Sequence, residues 1–293
     1  MKKMFMAVIA LMMTISASAQ FYIYYSDGTV AKVDSISMIA PGEPEQPNPS
    51  AGIGVFSVSA SKQVTFSPGN LQYHPANDKW RFAESQTDYI GEANSNISET
   101  YYGWLDLFGW STSATNFGVS TSQDYTDYLG SFVDWGMNKI GNDTSDTWRT
   151  LTDDEWDYLL NTRTNASDLS GVAQVNGVNG LIFLPDTWVC PEGITFKSGF
   201  HSSYGAAYYA AYQTFTAEQW SKLESEGAVF LPSAGNRVGW NVGYVQYYGE
   251  YWSATEYYDV SNYALCLDFG SDGATTSGSG RILGLSVRLV KDL

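Results

Sequence analysis

A chain of 293 residues, 44% hydrophobic and 15% aromatic, has ample apolar surface for a buried core, which excludes a disordered polypeptide over most of its length. Its formal charge of −16 sets long-range electrostatics against nucleic acid and anionic membranes, so neither is an expected partner. Two cysteines are too few for a disulfide-built scaffold.

The chain opens MKKMFMAVIALMMTISASA: two lysines, a short apolar stretch and Ala17-Ser18-Ala19 as a small-x-small cleavage site. That pattern predicts a secretory signal over residues 1–19 and an exported product, either periplasmic, at the cell surface or secreted. Losing Lys2 and Lys3 leaves 13 basic against 31 acidic residues, a charge of −18, which the solubility of an exported protein accounts for. No later segment holds 18 consecutive apolar residues, so no membrane span is expected.

Residues 20–40 alternate apolar and polar on both sides of Ser26-Asp27-Gly28, which predicts a β-hairpin. Four prolines between Pro41 and Pro49 read as an extended spacer over 41–50. The main domain is expected over 51–293. Short alternating runs up to about Ala83 (VFSVSA, QVTFS, LQYH, KWRFA) predict antiparallel strands. From Ser85 to Asp146 the composition of Gly, Ser, Thr, Asn, Asp and aromatics predicts long ordered loops pinned by Trp104, Phe108 and Trp110.

Two helix starts are signed by capping boxes, Thr152 with Glu155 and Thr216 with Gln219. Trp156, Leu159 and Leu160 form the apolar stripe of the first, Trp220 and Leu223 that of the second, with Gly227 as the stop. Each helix is followed by a similar run, GLIFLP at 180–185 and GAVFLP at 227–232. The last 60 residues contain the strand-like YWSAT, YALCLDF and LSVRLV. The expected class is α+β: antiparallel sheets, two helices and long ordered loops.

Reaction chemistry is sparse. His74 and His201 are the only histidines, which argues against a histidine-built metal site, and no P-loop or nucleophile-elbow motif occurs. The carboxylates Asp153, Asp154, Glu155 and Asp157 occupy a helix first turn, where they complement the dipole. Asp124, Asp127, Asp143, Asp146, Asp268 and Asp272 fall in or beside oxygen-rich loops, which leaves a structural calcium open, but no dense ligand series appears and no cofactor is expected. A bridge between Cys190 and Cys266 is chemically permitted after export; their local sequences favour two separately buried thiols. The protein is not expected to be an enzyme.

The positive signal is tyrosine. Residues 204–263 hold eleven of 21 tyrosines, interleaved with Ser, Gly and Asn, a mixture that gives stiff amphipathic contact area and adaptable hydrogen bonding. Tyr251, Trp252 and Trp240 are expected to pack the scaffold. Adjacent loop tyrosines cannot all point inward, so Asn241, Tyr244, Tyr247, Tyr248, Tyr257, Tyr258, Asp259, Asn262 and Tyr263 are the expected ligand contacts, for a surface glycan or protein. The loop 256–263 is their narrowest focus.

WRTLTDDEWDYLL, VNGVNGLIFLPDTW, TAEQWSKLESEGAVFLPSAGNR, YWSAT and the closing GLSVRLV resemble the Fibrobacter succinogenes major paralogous domain, common in exported proteins of Bacteroidetes and similar to the C-type-lectin-like fold of the formylglycine-generating enzymes. The resemblance spans most of 52–293, and the 21–39 hairpin resembles a segment that precedes other modules in such proteins. It implies a C-type-lectin-like fold, first and last strands brought together near VFSVSA and SVRLV, and a ligand face built by C-terminal loops. Some proteins of this fold are diversified at adenine-rich codons, and 236–285 has that composition. The cysteine pair of the formylglycine-generating enzymes is missing, as is the WND motif of mannose-binding lectins, so neither activity is carried over. The implied role is a noncatalytic recognition or adhesion module; the rival is a structural part of an envelope or fimbrial assembly.

Overall fold

The computed structural model describes residues 21–24, 30–33, 54–258 and 260–293. The expected signal at 1–19 and spacer at 41–50 lie outside the described residues. The chain divides into two compact units, 1–45 and 46–293. In the first, β1 (Phe21–Tyr24) and β2 (Val30–Val33) pair antiparallel, with Phe21 opposite Val33 and Tyr24 opposite Val30.

The second unit begins with β3 (Phe56–Ser57) and β4 (Gln63–Phe66). Phe56, Val58, Val64 and Phe66 are buried, as an alternating pattern over a one-sided sheet dictates. The ribbon β5 (Leu71–His74) and β6 (Lys79–Phe82) follows, with Tyr73 opposite Trp80. Between 85 and 146 the backbone makes short 3-10 turns at 91–96, 125–128 and 135–137. Phe108 and Trp110 are fully buried and pin this region as expected. The Trp110 indole donates to the Ser253 carbonyl at 2.9 Å and Trp252 returns the favour to Phe108 at 2.7 Å. Trp104 is half-buried under the Arg81 guanidinium, 3.9 Å from the ring centroid.

After β7 (Arg149–Thr150), both bonds of the Thr152–Glu155 capping box are present at the start of α1 (Asp153–Asp157). The helix is short and passes into a π turn at Tyr158–Thr162, which still buries the stripe of Trp156, Leu159 and Leu160. Next come β8 (Ser170–Val175) and β9 (Val178–Phe183). Asn176 and Gly177, both at positive φ, make the two-residue turn that suits strand twist. A helix that lacked a sequence signal, α2 (Ala207–Tyr212), precedes β10 (Thr214–Phe215). Its N-cap Ala206 offers no side-chain bond, so nothing local announced it. Helix α3 (Ala217–Ser225) carries the second capping box, buries Trp220 and Leu223, and leads into β11 (Val229–Pro232).

The similar runs after the two helices pair with each other. β9 and β11 are antiparallel, with Leu181 opposite Leu231, and the sheet runs β10-β8-β9-β11. The β10–β8 contact is parallel, and every other pair of named strands is antiparallel. The ribbon β12 (Asn236–Val238) and β13 (Asn241–Gly243) is followed by the meander β14 (Gly249–Glu256), β15 (Tyr263–Gly270) and β16 (Gly273–Gly280). The last strand, β17 (Leu289–Asp292), lies between β4 and β7 in the order β3-β4-β17-β7. The first and last strands of this unit, β3 and β17, therefore share a sheet, with β4 between them. The fold is mixed α+β, mostly strands with few helices. Among the described residues no helix is long and apolar enough to cross a membrane.

Two expectations are corrected. Cys190 is exposed and free, its thiol donating to the Ile194 carbonyl at 3.4 Å, because it immediately precedes the solvent-facing turn that the Ile194 amide closes on the Pro191 carbonyl. Cys266 is buried and free, and burial pushes its thiol up to about 12. Trp240 does not pack the scaffold: it is 59% exposed, since the turn between β12 and β13, with Gly239 at φ +59, carries it to the ribbon tip. Tyr251 and Trp252 are fully buried as expected.

Candidate functional site

The eight described residues among the nine expected contacts do not form one patch. Strand β15 spans eight residues, and at about 3.3 Å per residue its ends lie roughly 23 Å apart. Gly249 pairs with Phe269, so Tyr248 and the loop before it sit at the Gly270 end. Tyr257 and Tyr258 leave β14 beside Tyr263, at the opposite end.

At the Gly270 end the tyrosines form an array. Tyr248 stacks on Tyr204 with centroids 5.1 Å apart, and Tyr244 meets Tyr248 edge-on at 5.3 Å. Tyr204, Tyr208, Tyr244 and Tyr247 are all exposed. His201 stacks on Tyr208 at 4.6 Å. Burial, then the hydrogen bond with Tyr248, raises the Tyr204 hydroxyl above the ordinary phenol value.

The anchor of this array is Gln246. Its backbone amide donates to the Ser233 carbonyl at 2.7 Å, and its own carbonyl accepts from Asn179 Nδ2 at 2.9 Å. Its side chain accepts from the Asn179 amide at 2.7 Å and donates to the Tyr89 hydroxyl at 2.8 Å. Tyr244 and Gln246 both lie in the left-handed region, φ 59 and 67, a conformation that costs about 1 kcal/mol or more per non-glycine residue and persists where surroundings enforce it. The Tyr209 hydroxyl donates to the Tyr247 carbonyl at 3.0 Å. Ser271, fully buried in the turn after β15, accepts from the Gly205 amide and donates to the Ser203 carbonyl, both at 2.9 Å. This last pair brings 201–209 to the array.

At the Tyr263 end the strand termini are held. The buried Arg281 donates from Nε to the Tyr263 carbonyl at 2.9 Å and from Nη2 to Glu256 Oε2 at 3.1 Å, with its guanidinium 4.1 Å from the Trp110 ring centroid. The Arg281 amide donates to the Asn262 carbonyl at 3.0 Å. Tyr257 meets Tyr263 edge-on at 6.2 Å. A Cβ on Gly278 would lie 2.5 Å from the Tyr257 ring, so the missing side chain is the seat for that tyrosine. Tyr258 is 84% exposed. Asp259 lies outside the described residues. Asn241 is exposed on β13, beside Trp240.

Sequence reasoning missed Tyr204, Tyr208 and His201. The first two were inside the tyrosine-rich span; their placement depends on Ser271, 66 residues beyond Gly205. Between the two ends, Glu250 faces Asp268 across the strands. Burial raises both carboxyls, with Asp268 adding to the effect on Glu250 and Asp272 to that on Asp268. Glu250 accepts from Asn236 Nδ2 at 2.7 Å and Ser279 Oγ at 3.3 Å, bonds that tie it into the scaffold. Among the described residues, no three His, Cys, Asp or Glu side chains are grouped so as to hold a metal ion. Several loop aspartates have local partners: Asp124 caps the 125–128 turn, Asp127 accepts from Ser122 Oγ at 2.6 Å and Asp143 from the Trp148 indole at 2.8 Å.

Comparison with known proteins finds no matching family model, no matching curated protein and no matching solved structure.

Proposed function

We propose that this chain is an exported, noncatalytic recognition module with a C-type-lectin-like fold, and that it binds a surface glycan or protein through tyrosine-bearing loops at the ends of β14–β16. The array of Tyr204, Tyr244 and Tyr248 at the Gly270 end is the principal contact. The observation that carries the reading is this set of contacting rings, with Tyr204 and Tyr244 exposed and the half-buried Tyr248 stacked on the first and meeting the second edge-on, held by a hydrogen-bonded loop. Exposed aromatic area of that kind is characteristic of contact surfaces, and prior ordering lowers the entropic cost of binding. The fold assignment is supported by the shared sheet of first and last strands and by the two capped helices.

The test is retention of the purified chain on immobilised bacterial surface extract and on a glycan array. Joint replacement of Tyr204, Tyr244 and Tyr248 by Ala abolishes retention on this reading; unchanged retention refutes the assigned surface.

A second reading rests on a different observation. The two-stranded sheet β1–β2 has its strands paired with each other, and a lone hairpin leaves edges open to strand addition. A structural subunit of an envelope assembly would attach this way. Co-assembly that depends on residues 20–40 and not on the tyrosines supports that reading.

A further inference from the structure

We propose that a groove lined by none of the tyrosines assigned above, formed by the β5–β6 ribbon and loops between 97 and 138, is a binding site for an uncharged pyranose oligosaccharide. The groove encloses about 560 Å³, within the range of about 300–1,000 Å³ typical of small-ligand sites. Its floor is aromatic. Tyr73 and Trp80, opposite one another on the ribbon, have centroids 4.5 Å apart, and Phe117 meets Trp80 edge-on at 5.9 Å.

The lining is held in advance of any ligand. The Tyr73 hydroxyl donates to Asp78 Oδ1 at 3.0 Å, and Asp78 itself sits in the left-handed region with φ 50 and ψ 54. Phe117, at φ 47, is a bulky residue in a conformation such residues rarely adopt. It is fixed there because the Trp135 indole donates to its carbonyl at 2.7 Å and its amide donates to Ser113 at 2.9 Å. A bulky residue held in this rare conformation on the groove, enforced by its surroundings, matches the way ligand sites store strain.

The chemistry of the walls selects the ligand class. The lining contains the carboxylates of Asp78 and Glu99, the amides of Asn116 and Asn138 and several hydroxyls, with no Lys, Arg or His. On a chain of net charge −16 this repels anions. A cationic peptide would pair with the carboxylates and offer backbone carbonyls to the amides, but it has no saturated ring face to lay on the aromatic floor. A neutral sugar uses all three: its hydroxyls both donate to carboxylates and accept from amides, while the C–H face of the ring covers the aromatic floor, whose π surface is electronegative.

The test uses the full chain and soluble probes: cellotriose, mannotriose, xylotriose and laminaritriose as neutral sugars, sialyllactose as an anion and an oligolysine peptide as a cation, each titrated by calorimetry and by ligand-observed NMR. At least one neutral trisaccharide binds, and sialyllactose does not. Thr115→Trp, an exposed rim position that fills the groove, weakens that binding at least tenfold, and Glu99→Ala, also exposed, weakens it about threefold. The variant with Tyr204, Tyr244 and Tyr248 changed to Ala retains it, which separates this site from the tyrosine array. Failure of every neutral trisaccharide, binding of oligolysine alone, or sugar binding that survives Thr115→Trp overturns the proposal.

Discussion

At the Gly270 end of β15 the tyrosine loop is held from within, because Gln246 uses backbone and side chain together on Ser233, Asn179 and Tyr89. At the Tyr263 end the grip is on the strand termini, where Arg281 binds the Tyr263 carbonyl and Glu256, and Tyr258 stands outward at 84% exposure. The same residue type therefore has two different foundations on one sheet. A loop tied by backbone and side chain to distant strands enters binding with its rings already ordered, whereas the Tyr263-end loop, bonded within itself through the Val260 and Tyr263 amides, carries in the outward Tyr258 a ring whose ordering must be met from binding free energy. This is the physical reason for placing principal recognition at the Gly270 end.

The comparison can be broken most forcefully from the scaffold that the two ends share. Trp252 is fully buried and its indole is bonded to Phe108; Trp252→Ala costs about 3–5 kcal/mol and lowers the urea midpoint while abolishing binding at both ends. Gln246→Ala is selective. It removes bonds to two partly buried groups and costs about 1–3 kcal/mol, with loss of retention on surface extract and no change in the environment of Tyr257 and Tyr263 by NMR.

The third test uses pH. Asp106 is fully buried and accepts from the Ile90 amide and Asn94 Nδ2, both at 2.8 Å, beside Tyr89, the residue that receives Gln246. Burial pushes its carboxyl up from 3.8 to about 6, against the lowering effect of those hydrogen bonds. The folded acid thus holds its proton more tightly than the unfolded one, so its contribution to stability is lost as pH rises from about 4 to about 6 and regained on acidification. Stability from urea unfolding is expected to gain on the order of 1–3 kcal/mol between pH 7 and pH 4 from this group. Asp106→Asn removes that increment, and an equal pH slope in both proteins contradicts the account. The smallest effect belongs to Gly278→Ala. The new methyl displaces the Tyr257 ring for roughly 1 kcal/mol or less, altering Tyr257 and Tyr263 resonances and leaving the Gly270 array in place.

Local chemistry made part of this legible from sequence. Both capping boxes, the buried stripes of Trp156 and Trp220, and the burial of Tyr251 and Trp252 follow from spacing and size. The likeness of GLIFLP and GAVFLP was visible, but their pairing was not, because register is a tertiary property. The division of the tyrosines into two ends was hidden for the same reason: it depends on Gly249 facing Phe269 across β14 and β15. Tyr204 joins Tyr248 only through the Ser271 clasp, and Trp240 is exposed only because a ribbon turn lifts it. Contacts set by distant partners leave little trace in composition.

The most direct measurement of the central claim is side-by-side retention of two triple variants on the same immobilised surface extract. Tyr204, Tyr244 and Tyr248 changed to Ala should abolish binding, while Tyr257, Tyr258 and Tyr263 changed to Ala should weaken it no more than about threefold, or about 0.7 kcal/mol. Loss in the second variant with full retention in the first contradicts the account.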